Sequence, residues 1–166
     1  ARLKRLAREL GGNAPFIVLD DAELDAAVDG LRAAKFRNGG QTCVSPNRIY
    51  GQAGVYDAFA AKLAARVAAL KVAPATDPAA QIGQMINARA VDKIARHVGD
   101  AVERGARVLT GGKRLTELGP NFHAPAVLPH PSPDMQPTCE EQVGPVAAAV
   151  RLGPRPFSHP YGGDHR

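Results

Sequence analysis

Apolar and polar positions fall into blocks along the chain, and each block predicts an element. Pro15-Phe16-Ile17-Val18-Leu19 is a short unbroken apolar run with β-formers, the pattern of a strand buried on both faces of a parallel sheet. A helix is predicted directly after it, with Asp20 and Asp21 as N-terminal caps and Leu24, Ala27, Val28, Leu31 and Ala34 at helical spacing, until Asn38-Gly39-Gly40 breaks the pattern. Residues 48–51 read as a second strand. Over 55–70, Val55, Phe59, Leu63, Val67 and Leu70 step by three or four, which predicts an amphipathic helix that gives way to a loop at Pro74 and Pro78. A third helix is predicted over 88–104, with Val91, Ile94, Val98 and Val102 on one face. Gly105 would cap it, residues 106–109 would form a strand, and Gly111-Gly112 would close that unit.

Strand and helix thus alternate through the first two thirds of the chain, the signature of an α/β domain with a mostly parallel sheet joined by helical crossovers. No internal repeat is present. Residues 1–152 read as one domain. From Gly153 onward the chain is Pro/Gly/His-rich and aperiodic, so 153–166 reads as an irregular or non-native tail.

Composition narrows this picture. A chain of 166 residues is long enough to bury roughly 70% of its unfolded surface. Much of its apolar content is alanine and only 5% is aromatic, so the expected core is modest. The net charge of +5 comes from scattered Lys and Arg, such as Arg2, Lys4, Arg32 and Lys35. That dispersion speaks against nucleic acid, whose binders concentrate charge on one stripe with aromatics that stack on bases. No apolar run approaches the length of a membrane span, and no charged-then-apolar leader opens the chain. Two cysteines, Cys43 and Cys139, lack the spacing of a zinc site or disulfide framework and fit a cytosolic, reducing compartment.

Cys43 is the first candidate for chemistry. It closes Gly39-Gly40-Gln41-Thr42-Cys43, where glycines let backbone approach a ligand and where a thiol can face a substrate carbonyl. Local chemistry alone also allows a buried structural cysteine, since no histidine stands near it in sequence to act as a base. The upstream segment Arg8-Glu9-Leu10-Gly11-Gly12-Asn13 changes that weighing.

Glu9-Leu10-Gly11-Gly12 followed by Gly40-Gln41-Thr42-Cys43, in that order and spacing, resembles the two active-site signatures of the aldehyde dehydrogenase superfamily, within it the succinate-semialdehyde branch. The resemblance extends through Phe16-Ile17-Val18-Leu19-Asp20-Asp21, Lys35-Phe36-Arg37-Asn38, Asn47-Arg48-Ile49-Tyr50 and Glu140-Glu141-Gln142-Val143-Gly144-Pro145. It implies a partial catalytic domain that oxidises a short aldehyde with NAD or NADP. By it, Cys43 is the nucleophile that forms a thiohemiacetal and then a thioester, and Glu9 activates the hydrolytic water. Arg37 would fork onto a substrate carboxylate, a reading taken ahead of a surface arginine at a helix end. Glu141 would take ribose hydroxyls on the nicotinamide side, with Leu10 as a further cofactor-binding residue. The parent enzyme is expected to be a homo-oligomer.

The chain departs from the family pattern in places. Val143 stands where phenylalanine is usual, Gln84 where proline is common, and Ser45 where some relatives carry a second cysteine. Lys93 falls near a lysine that approaches the adenosine half, and is read as a solvated helix residue. The family's dinucleotide-binding half is not in the sequence, whose first residue is Ala1. The expectation is therefore a fragment or truncated gene product. Two readings follow: an aldehyde dehydrogenase that works with its missing half supplied, or a catalytically silent remnant or interaction module.

Overall fold

The computed structural model describes Arg5, Ala7 and residues 10–153. Within these, the elements are β1 (Ala14–Val18), α1 (Leu24–Phe36), a tight helical turn (Arg37–Gly40), β2 (Pro46–Gln52), α2 (Tyr56–Ala68), α3 (Ala88–Glu103), β3 (Ala126–Pro129), α4 (Gln136–Cys139) and β4 (Val146–Leu152). The four strands form one sheet in the order β1-β2-β4-β3, and every neighbouring pair is parallel. The expected α/β class with a parallel sheet is what forms.

Side-chain alternation divides the interior into two cores. Ile49, Val127, Ala147 and Ala149 face α1 and α2, where Val28, Leu31, Phe59, Leu63 and Val67 close the layer. On the opposite face Ala126, Leu128 and Val146 meet Val91, Ile94, Val98 and Ala101 of α3. Helices therefore cover both faces, which is what a parallel sheet requires to bury its backbone. β4 carries the least bulky run, Val146-Ala147-Ala148-Ala149-Val150, and lies between β2 and β3 with all five of these residues buried.

Several expectations are corrected. β1 is an edge strand, so only one of its faces is covered: Val18 is buried while Ile17 and Leu19 are exposed. The cap of α1 is Glu23, whose carboxylate accepts the N–H groups of Asp25 and Ala26. Asp20 instead accepts Gly54 N–H, tying the end of β1 to the turn after β2. In the last turn of α1 Lys35 and Phe36 are buried, and Ala34 is exposed. In α3, Ala101 is buried and Val102 exposed, one position off the predicted phase. Residues 106–109 form no strand. They pass along the sheet's edge with Leu109 N–H donating to Val127, and the pairing strands are β3 and β4. The tail after Gly153 lies outside the described residues.

Tyr56, at the start of α2, pins that helix to the sheet. Its ring is wholly buried, its hydroxyl donates to Ala149 O at 2.6 Å and accepts His130 N–H at 2.9 Å, and burial pushes its phenol above the ordinary range. In Tyr56→Phe the hydroxyl is lost while His130 N–H and Ala149 O keep each other at 2.9 Å, and the change is expected to cost about 1 kcal/mol. Urea denaturation checks this, and an unchanged midpoint would show that water replaces the hydroxyl.

Candidate active site

Three loops that enter neighbouring strands meet at one end of the sheet. Gly12 lies just before β1, Cys43 just before β2 and Gly144 just before β4, and these strands are adjacent. The site thus forms at the amino ends of parallel strands, the reverse of the common arrangement in open α/β sheets.

The path to Cys43 begins where α1 ends. Asn38, Gly39 and Gly40 take left-handed conformations in succession, with φ of 52°, 64° and 73°, turning the chain sharply toward β2. Gln41 locks this turn. Its side chain donates to Asn38 O at 3.0 Å and accepts Ile86 N–H at 2.8 Å, joining the cysteine loop to residues 84–86. A hydrogen bond from Ser45 N to Thr42 O at 3.1 Å then places Cys43 and Val44 at the tip of a turn. Cys43 is exposed and in no disulfide, which removes the buried structural reading. Cys139 is also exposed, at the end of α4.

Gly12 packs directly on this turn. A Cβ there would stand 2.5 Å from Cys43 O, so only glycine permits the approach. The Gly12 N–H donates to Glu141 Oε1 at 2.8 Å, and a Cβ on Gly11 would meet the same carboxylate at 2.2 Å. Glu141 therefore sits in a cradle of bare backbone beside the cysteine turn. Its own backbone is held from α3: Lys93 Nζ donates to Glu141 O at 2.8 Å, so Lys93 is half-buried and engaged rather than a solvated helix residue. Next to it, His97 Nε2 lies 3.1 Å from Glu140 Oε2, and burial of the imidazole holds its pKa below the ordinary value.

Beneath the turn lies a polar group that the sequence pattern did not single out. Lys35 is fully buried, with Nζ 2.8 Å from Asn47 Oδ1, and desolvation pushes its amine down to about 7. Gln41 and Asn47 likewise escaped sequence reasoning as holders of the site. Both lie in the matched motifs, and only tertiary contacts give them work.

The other expected site residues are placed unequally. Arg37 is exposed at the first position of the turn leading to Cys43, and Leu10 is exposed just before Gly11. Val143 is also exposed and lines an open groove with Asn38, Gln41, Gln84, Met85 and Ile86. Glu9 lies outside the described residues. Among the described residues no cluster of His, Cys, Asp and Glu is placed to hold a metal ion, and no helix is long and apolar enough to cross a membrane.

The described residues thus make a parallel α/β unit that presents a thiol on a glycine-lined turn, with a carboxylate set beside it. The chain belongs to the aldehyde dehydrogenase family, whose model matches residues 1–153. It is 53% identical over 151 residues to a probable succinate-semialdehyde dehydrogenase [NADP(+)] of Sinorhizobium fredii, covering 91% of this chain and 30% of that protein. It is 49% identical to a glutarate-semialdehyde dehydrogenase of Pseudomonas putida, covering 90% of this chain and 31% of that one. A crystal structure of succinate-semialdehyde dehydrogenase from Burkholderia pseudomallei superimposes with a TM-score of 0.84 at 53% identity, over 87% of this chain and 30% of the other. The chain accordingly spans about 30% of the length of these relatives.

Proposed function

We propose that this chain carries the nucleophile of an NAD(P)-dependent dehydrogenase that oxidises a short, carboxylate-bearing aldehyde, succinate semialdehyde first among them, to the acid. The observation that supports it most is the convergence of Gly12, Cys43 and Glu141 from three distant segments onto one exposed thiol. In this reading Cys43 Sγ adds to the aldehyde carbon, and the resulting thiohemiacetal gives up its carbon-bound hydrogen as hydride and its hydroxyl proton to become a thioester that water hydrolyses. Glu9 takes the proton of that water. Arg37, at the head of the turn, forks onto the far carboxylate. Succinate and glutarate semialdehyde, the substrates in two relatives' names, both carry such a group.

The cofactor fits what is present. Ribose hydroxyls donate hydrogen bonds, and the Glu141 carboxylate in its side-chain-free cradle is an acceptor for them, with Leu10 at the cradle's rim. Lys93 and Gly12 hold that carboxylate's segment in place. A bound nicotinamide supplies the hydride acceptor. The cysteine, glutamate and arginine supply attack, hydrolysis and orientation.

A second reading, that this chain alone turns nothing over, is favoured by its spanning about 30% of the relatives' length. One pair of measurements separates the two. Placed into the Sinorhizobium fredii relative in exchange for the matching segment, the chain is expected to support NADP+ reduction by succinate semialdehyde, with Cys43→Ala lowering it on the order of 10³-fold or more. Assayed by itself, the chain is expected to show no Cys43-dependent reduction. A folded chimera whose turnover survives Cys43→Ala would sink the nucleophile assignment.

A further inference from the structure

We propose that Lys35 and Asn47 form a buried bracket that positions the Cys43 turn against the Gly11–Gly12 segment. The inference rests on Cys43 being the nucleophile. Lys35 reaches from the last turn of α1 under the loop to β2, where Asn47 is 2% exposed. Packing alone does not call for such a pair, because apolar side chains of the same size would fill the space without desolvating an amine.

Hydrogen-bond polarity shows what the pair does. Asn47 Nδ2 donates to Gly12 O at 3.3 Å, and its Oδ1 accepts from Lys35 Nζ at 2.8 Å. A backbone carbonyl only accepts, so the asparagine amide must present nitrogen to Gly12 and oxygen to Lys35. The Gly12 carbonyl and the Lys35 amine together favour one of two amide orientations, the one that grips Gly12. The last turn of α1 also closes the loop from its other end, since Ser45 Oγ donates to the backbone carbonyl of residue 35 at 3.4 Å. Gly12 in turn touches Cys43 O and binds Glu141. Both sides of the cysteine turn thus hang on the last turn of α1, the Gly12 side through the Lys35–Asn47 pair, which makes Lys35 and Asn47 positioning residues rather than catalytic ones.

Amide hydrogen exchange, resolved by residue, tests this in three variants. In Asn47→Asp the lysine keeps its acceptor while the donor to Gly12 is lost. In Lys35→Met the asparagine loses its orienting partner. In the double variant Lys35→Met/Asn47→Leu the buried amine and amide leave together, so much of the global stability recovers while Gly12 O still lacks its donor. In all three, the Gly12 and Ser45 amides are expected to exchange at least about tenfold faster, while Leu63 and Val67 in α2 stay within about twofold. A role in core packing alone would speed all four amides together, and the double variant would restore Gly12. Either result, or unchanged Gly12 and Ser45 protection in Asn47→Asp, overturns the bracket. Failure of the catalytic reading shows elsewhere, as chimera turnover that does not depend on Cys43, so the two are told apart.

Discussion

Gly40→Ala is expected to lower the unfolding free energy by about 2–5 kcal/mol, the sum of a left-handed backbone penalty and an overpacking penalty. Gly40 has φ +73°, and its Cβ would stand 2.2 Å from Gly144 O, 2.7 Å from Gly144 C and 3.0 Å from Lys35 O. All three obstacles are backbone atoms, so no rotamer change relieves them. The chain must instead pull the cysteine loop away from the Glu141–Gly144 segment, which also opens the cradle around Glu141. Gly30 is the internal control. It lies on the exposed face of α1 with nothing within 4 Å, so Gly30→Ala is expected to stabilise by about 0.5–1 kcal/mol through helix propensity. Urea midpoints of the two variants should move in opposite directions. A Gly40→Ala chain within about 0.5 kcal/mol of the parent would mean that the loop and the 141–144 segment are not in firm contact.

Stability is expected to rise with pH between about 7 and 10, and Lys35 is the cause. Its amine titrates near 7 in the folded chain and at 10.5 when exposed, so in that interval the unfolded state holds a proton that the native state has shed. The unfolded state then binds more protons, and raising pH favours folding by up to about 1.4 kcal/mol per pH unit. Below pH 7 both states are protonated and the full cost of burying the ammonium is paid. Above pH 10 the trend reverses, because burial raises the phenols of Tyr50 and Tyr56 and the unfolded chain ionises first. Guanidinium midpoints measured from pH 6.5 to 9.5 should climb for the parent and stay level for Lys35→Met. A parent curve as flat as the variant's would show that water reaches Nζ.

The helices were legible because their periodicity is strong, and α1, α2 and α3 form where the apolar spacing places them. Their phase was less secure at the ends. Choosing between Ala34 and Lys35, or between Ala101 and Val102, from hydrophobicity puts the wrong residue inside, since local rank says nothing about a tertiary acceptor such as Asn47. β4 escaped notice because its alanines read equally well as helix, and only pairing with β2 and β3 makes them a strand. Val108 and Leu109 misled for the opposite reason: β-formers in sequence, they find no strand partner beyond one bond to Val127. At the site, Cys43, Glu141 and the glycines were readable as motifs. The polar residues that hold them, Lys35, Asn47, Gln41 and Lys93, carry no periodic signal, and their work appears only once the loops meet.

That meeting has a kinetic side. Gly12 and Glu141 are 129 positions apart, and closing a chain segment of that length costs on the order of 4 kcal/mol of loop entropy before any bond is made. Nothing local prepays this cost. The cysteine turn closes through near neighbours, Gln41 on Asn38 and Ser45 on Thr42, whereas the carboxylate comes from far along the chain. Contacts of such sequence separation slow folding, so bringing the carboxylate beside the thiol is expected to be slower than closing the turn that carries it.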